Sequence, residues 1–251
     1  MSLLHTFLGQ PPTETITKAF GNVLVTLDGR ELEDYSCGIT GHSIIGWGNI
    51  QVAEKAKQQL IDIGHIDYKT FLDINREALA KELASISRSS LSHLFFVGGS
   101  GGESCEACIK LSYQAHVNSG ESDRTVYVSR RQSYHGMSSD NLSLGDRANL
   151  EIYSVFHPAN RYKVEEHNYY RHALSGESSS DYAARSCTQF RKQLLDIGVE
   201  RIGGVVIETM MGGLVGDVPP SQGYLPGISQ ICKELGIHLI LDEVWCGNGV
   251  S

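Results

Sequence analysis

The chain has 251 residues, of which 41% are apolar and 20% charged, with a formal net charge of −8. That length supports one large α/β domain or a domain and a half. The acidic balance excludes a phosphate-backbone grip on nucleic acid, and no run approaches the ~18 apolar residues of a membrane span.

Met1 to Pro12 has no cationic stretch followed by an apolar core, so it does not read as a secretory signal. A cytoplasmic setting follows, in which the six cysteines (Cys37, Cys105, Cys108, Cys187, Cys232 and Cys246) stay reduced. The single Cys-x-x-Cys, Cys105 with Cys108, lacks the second pair or spaced histidines that zinc would need. Both cysteines read as small buried residues on a helix face, and no metal is expected.

In chain order, residues 1–60 carry turn signals (Asp28-Gly29, Gly38, Gly41, Gly46, Gly48) between short apolar runs, which describes an N-terminal arm or small-domain segment. Apolar residues at Ile50, Ala53, Ala56, Leu60 and Ile63 recur with helical spacing over Asn49–Ile63, and Glu77–Ile86 gives a second helix. Residues 61–251 are expected to form part of a larger domain. Within it, Leu94–Val97 reads as a strand, Glu103–Asn118 as a helix and Thr125–Ser129 as a strand, one βαβ unit. Residues 142–180 read as surface loops. Asp181–Ile197 then reads as a helix with Ala184, Cys187, Phe190 and Leu194 on one face, followed by strand Gly204–Glu208, helix Pro226–Leu235 and strand Ile237–Asp242. Strands alternating with helices predict a mostly parallel sheet.

Two segments carry chemistry. Val97-Gly98-Gly99-Ser100-Gly101-Gly102-Glu103 joins a strand to a helix through glycines, a geometry in which free amides and the helix dipole receive an anion. A plain tight turn is the bland alternative. A dinucleotide fingerprint is completed only in part, since Gly99 and Gly101 are followed by Ser104, although Arg130 and Arg131 would suit a 2′-phosphate. The second segment is Leu239-Ile240-Leu241-Asp242-Glu243-Val244, an apolar run ending in acids. The carboxyl end of a strand in an open α/β sheet is where ligands sit, which makes Asp242 a candidate cofactor contact.

These two segments occur in order with Ser133-Tyr134-His135-Gly136, Val206-Ile207-Glu208 and Gly223-Tyr224-Leu225-Pro226. From about Gly21 to Gly249 the chain resembles the class III aminotransferases, pyridoxal-phosphate enzymes of fold type I. The resemblance implies that Gly101 and Gly102 offer amides to the phosphate of pyridoxal 5′-phosphate, that Tyr134 stacks on its pyridine ring, and that Asp242 pairs with the ring nitrogen. Val244, on the same strand face as Asp242, would pack the other side of the ring. His135 and Glu208 lie in motifs beside the cofactor, in direct contact or as satisfied structural hydrogen bonds. Glu243, pointing to the opposite side of the strand, is given a structural polar contact. Asp34 to His42 resembles the segment that helps to line the substrate pocket.

By the same resemblance the substrates are an amine or amino acid and an oxo acid, and the full-length form is a homodimer. The family forms its cofactor linkage through a lysine beyond the Asp-Glu-Val strand, whereas no lysine follows Lys233 here. The expectation is therefore an incomplete large domain without its C-terminal small domain, and a chain inactive as it stands. A retained intron, since Val250-Ser251 can be encoded by GTAAGT, or a gene-model error would account for that, as would a degenerate gene. The alternatives in function are another fold type I enzyme, such as an aminomutase, decarboxylase or racemase, and a non-catalytic fragment pairing with a full-length relative.

Overall fold

The computed structural model describes residues 13–36, 38, 41, 43–87 and 91–247. The chain divides into two compact units, one ending at Phe95 and one beginning at Phe96. Helix Ile74–Ile86 thus falls in the same unit as the strands before residue 60. Among the described residues no helix is long and apolar enough to cross a membrane.

The first unit holds a three-stranded antiparallel sheet, β1 (Ile16–Phe20), β2 (Val23–Thr26) and β3 (Glu31–Glu33), in that order. The Asp28-Gly29 turn works because Gly29 takes a φ of 86°, a region that costs glycine nothing. Helix α1 (Ile50–Asp62) starts where Asn49 accepts the Val52 amide, and α2 (Ile74–Ile86) where Asp73 accepts those of Asn75 and Arg76. The Asp73 cap begins α2 one turn before the position that apolar periodicity alone suggested.

The second unit is built on a wholly parallel sheet. Its strands β4 (Val126–Arg130), β5 (Arg161–Val164), β6 (Ile202–Glu208) and β7 (His238–Asp242) lie in the order β5-β4-β6-β7. The helices are α3 (Gly101–Asn118), α4 (Ser139–Leu144), a short α5 (Tyr169–His172), α6 (Ser179–Ile197) and α7 (Tyr224–Glu234). Side chains alternate across each strand. Val126, Val128, Val205 and Ile207 meet Phe190 and Leu194 of α6 and Ile228 of α7 on one face, while Tyr127 and Val206 meet Ile109 of α3 and Leu144 of α4 on the other. By that alternation the last residues of β6 and β7, Glu208 and Asp242, fall on the α3 face.

Three expectations are corrected. Leu94–Val97 forms no strand, and Phe95 is largely exposed: its residues have strand propensity, but a strand exists only with a ladder partner. The polar stretch 142–180 is not all loop, since Arg161–Val164 is edge strand β5, in which only Val164 is fully buried. On α6 the buried small residue is Ala183, not Ala184, because Tyr182 and Ala183 together face the core.

Candidate functional site

Helix α3 begins with a capping box. Ser100 Oγ accepts the Glu103 amide at 3.2 Å, and Glu103 Oε2 accepts the Ser100 amide at 3.1 Å. This leaves the amides of Gly101 and Gly102, which as the first residues of the helix have no intrahelical acceptor. A side chain would clash at the first and be tightly hemmed in at the second. A Cβ on Gly101 would lie 2.4 Å from Val244 Cγ2, and one on Gly102 would lie 3.0 Å from Asn141 Nδ2. The Ser133–Gly136 segment approaches just as closely, for a Cβ on Gly136 would meet Gly102 Cα at 2.9 Å. Asn141 clamps the approach by donating Nδ2 to the Gly102 carbonyl at 2.8 Å.

Behind this cradle stand the acids. Asp242, 9% exposed at the carboxyl end of β7, accepts three hydrogen bonds: from His135 Nδ1 at 2.8 Å and Cys105 Sγ at 3.4 Å on Oδ2, and from the Val244 amide at 3.1 Å on Oδ1. Burial acts to raise its pKa, but the His135 and Val244 hydrogen bonds and the His135 charge together outweigh it and hold the carboxyl below the ordinary value of 3.8. Asp242 is an anion at neutral pH. Glu208 is its registered neighbour on β6 and behaves oppositely. Burial, with a smaller repulsion from Asp242, pushes its carboxyl above 4.5 despite the charges of His135 and Arg130. Its Oε1 receives only a long bond from the Gly212 amide at 3.4 Å, and Oε2 is buried without a partner. His135 is likewise half satisfied, since its Nε2 is buried and unpartnered. Buried polar atoms are rarely left so, and here two of them lie beside one anion.

Tyr134, the residue before His135, is half-buried, with the Arg147 guanidinium 4.2 Å from its ring centroid. Val244 departs from expectation. Strand β7 ends at Asp242, so Val244 lies in the following turn, 67% exposed, where it packs on Gly101. The break follows from Asp242 turning its own carboxylate onto the Val244 amide, which removes that amide from any ladder. Glu243 is exposed for the same reason, and among the described residues its side chain has no polar contact.

The structure thus brings Gly101, Gly102, His135, Glu208, Asp242 and Val244 into one locality, with Tyr134 at its border. Sequence reasoning missed Asn141 and Cys105, whose only signal is contact with residues far along the chain. Cys105 is buried as expected, but Cys108 is exposed, because the pair spans the core and solvent sides of α3. Cys105, His135 and Asp242 bring metal-ligand atoms within 4.8 Å of one another. Burial, and next Asp242, push the Cys105 thiol far up, so it stays protonated as a donor to that carboxylate. Of the segment Asp34–His42, Cys37, Ile39, Thr40 and His42 lie outside the described residues. In the remainder Asp34 accepts the Ser36 and Gly38 amides, each at 2.8 Å, as a turn would require. Gly249 also lies outside the described residues.

The family model described as aminotransferase class-III matches residues 9–251. An uncharacterized aminotransferase of Schizosaccharomyces pombe is 29% identical over 96% of this chain and 52% of its own length. Among solved structures, an omega-aminotransferase from Paracoccus denitrificans superposes with a TM-score of 0.88 at 22% identity, covering 98% of this chain and 55% of that one. The PMP-bound form of an aminotransferase from Vibrio fluvialis gives 0.84 at 23% identity, over 98% and 55%. These two structures bear on the fold alone. The chain spans about half the length of the relatives it matches.

Proposed function

The chain belongs to the class-III aminotransferase family, and on that premise we propose that its second unit is a binding site for pyridoxal 5′-phosphate in an enzyme that moves an amino group between an amine or amino acid and an oxo acid. The observation that carries this reading is Asp242. It is a buried carboxylate held ionised by His135, at the end of a parallel strand, beside a glycine with no room for a Cβ and a second with little. The residues fit the cofactor. The Gly101 and Gly102 amides at the start of α3 suit a phosphate, for which the helix dipole adds attraction. Asp242 suits a protonated pyridine nitrogen, and Tyr134 offers an aromatic face. When bound, the cofactor supplies an electron sink for the carbon that gains or loses a proton.

Each residue's part follows from its surroundings. His135 and Cys105 fix the Asp242 carboxylate by donating to Oδ2, so its charge is oriented before any ligand arrives. Asn141 ties α4, which follows the 133–136 segment, to the helix start. Glu208, with a free buried oxygen, accepts a polar group brought by the ligand. No lysine of the chain follows Lys233, which lies on α7. These 251 residues are therefore expected to hold the cofactor non-covalently. That observation also favours the second reading, a non-catalytic fragment that associates with a longer relative. A homodimer of the full-length form and a cytoplasmic setting complete the proposal.

The test is binding of pyridoxal 5′-phosphate to the purified chain, followed by borohydride reduction and peptide mapping. Reversible binding lost in Asp242→Asn, with no lysine adduct after reduction, is expected. Specific reduction onto one lysine, Lys163 included, would overturn the non-covalent reading, and binding indifferent to Asp242 would overturn the site.

A further inference from the structure

Three elements of the second unit meet at one oxygen. Asp242 Oδ2, at the end of β7, lies 2.8 Å from His135 Nδ1, in the segment after β4, and 3.4 Å from Cys105 Sγ on α3. The three atoms fall within 4.8 Å of one another, and all three residues are buried. Thiolate, imidazole and carboxylate make up a zinc-type donor set, softer than the all-oxygen cages of calcium and magnesium. Bonds of about 2.0–2.3 Å at tetrahedral angles place such atoms roughly 3.4–3.6 Å apart. The Sγ–Oδ2 separation already has that value, and the Nδ1–Oδ2 pair has to open by roughly half an ångström.

Two protons, on Nδ1 and on Sγ, are directed at the same carboxylate oxygen. Exchanging both for one dication leaves the net charge of the buried cluster unchanged, so no further charge has to be desolvated. The protons leave to water. The Asp242 charge that helps to keep Cys105 protonated is neutralised by the cation, which itself favours the thiolate. A second observation points to a ligand at this place. Glu208 Oε2 is buried without a partner, on a side chain close enough to feel the charges of His135 and Asp242. Three protein ligands leave a fourth position for water, and a metal-bound water is a hydrogen-bond donor of the kind that Glu208 lacks.

We propose that Cys105, His135 and Asp242 bind a divalent cation of the zinc class, and that this cation and pyridoxal 5′-phosphate exclude one another. The metal site stands on its own geometry. The exclusion rests on the cofactor reading above, because the pyridine nitrogen and the cation would claim the same Asp242 carboxylate. Cys108 is exposed and lies outside the set, so the Cys-x-x-Cys spacing gives no sign of a site whose ligands come from three distant segments.

The experiment is an absorbance titration of the whole chain, reduced and stripped with a chelator, with cobalt(II) as a visible stand-in for zinc. One equivalent should raise a thiolate-to-cobalt charge-transfer band, and zinc should abolish it. Cys105→Ser and Cys105→Ala should both lose the band, Asp242→Asn should weaken binding at least about tenfold, and Cys108→Ser should match wild type within about twofold. Circular dichroism checks that each variant is folded. No band in wild type, a band that survives in either folded Cys105 variant, or a band lost in Cys108→Ser would each overturn the site. With zinc at about a hundred times its Kd, the apparent affinity for pyridoxal 5′-phosphate should fall about a hundredfold. Cofactor affinity unchanged by zinc would overturn the exclusion. A chain that binds cobalt through Cys105 and Asp242 but does not bind pyridoxal 5′-phosphate would sustain the metal site while defeating the cofactor reading.

Discussion

Replacing Glu208 by glutamine should make the protein more stable, although the residue sits in the proposed site. Its carboxylate is 8% exposed, one oxygen has no partner, and the other holds a single long bond to the Gly212 amide. Leaving such a group unsatisfied costs about 1–3 kcal/mol. Attraction to His135 and Arg130 offsets part of that, but burial and Asp242 prevail, as the raised pKa shows. Removing the charge at constant shape should therefore gain about 1 kcal/mol at pH 7, or roughly 2–4 °C in Tm for a chain of this size. A carboxyl whose folded pKa lies above its unfolded value binds its proton more tightly in the native state. The penalty is thus present in full above the folded pKa and disappears as pH falls through it. The advantage of Glu208→Gln should accordingly shrink between pH 7 and about pH 4. Trp245 is a local reporter, since a Cβ on the adjacent Gly212 would lie 3.8 Å from its ring, and Trp47→Phe removes the other of the two tryptophans. Thermal melts followed by fluorescence would check it. A variant less stable than wild type at pH 7, or an advantage that does not change with pH, would refute the account of the buried charge.

Asp242 should show the opposite pH trend: its contribution to stability holds above the ordinary value of 3.8 and is lost as pH falls below it through the depressed folded pKa, which an acid denaturation series on wild type and Asp242→Asn would show as convergence. In a longer form that carries a lysine beyond Asp242, Asp242→Asn should slow turnover on the order of a hundredfold, the effect of ~3 kcal/mol of lost charge stabilisation, with a smaller change in cofactor affinity. Steady-state kinetics beside cofactor titration would separate the two, and normal turnover would discard the pairing with the ring nitrogen. Gly101→Ala would place a Cβ 2.4 Å from Val244 Cγ2 and should cost about 1–3 kcal/mol in urea melts. Val244→Ala in the same chain should recover most of that, and a double variant no more stable than Gly101→Ala would show that the clash is not with Val244.

The parts of the fold that were legible were those whose environment is written locally. Strand β6 is a fully buried run and β7 a largely half-buried apolar one, and an acid closing such a run, as Asp242 does, has few places to be except the strand's end. The Ser100–Glu103 capping box and the glycines before α3 likewise announce a helix start. Strand β5 was illegible because an edge strand needs little apolar surface, and Arg161, Tyr162 and Lys163 give it the composition of a loop. Leu94–Val97 failed the other way, having the composition of a strand without a ladder. Within the site, the Cys105 contact with Asp242 joins α3 to the end of β7, and the Asn141 clamp joins α4 to the start of α3. Neither pairing leaves a periodic trace, and the Arg147 stack on Tyr134 was equally invisible.

The strand order β5-β4-β6-β7 also imposes a sequence of events on folding. Strands β6 and β7 are joined through α7 alone, whereas β4 reaches its neighbour β6 only after β5 and α6 have been threaded between them. The β6–β7 closure, like the β4–β5 closure of similar length, is entropically cheaper than the β4–β6 one, so the β6-α7-β7 crossover should form before β4 docks on β6. Glu208 and Asp242, mutually repelling acids, would then meet before His135 arrives with the segment after β4. The nascent unit should be held back at neutral pH by that unrelieved repulsion and fold faster as pH falls and Glu208, whose carboxyl burial pushes up, takes up a proton. Stopped-flow refolding from pH 7 to pH 5, with pulse-labelled amides reporting the β6–β7 ladder ahead of the β4–β6 one, would reveal this order, and protection of the β4–β6 ladder first would exclude it.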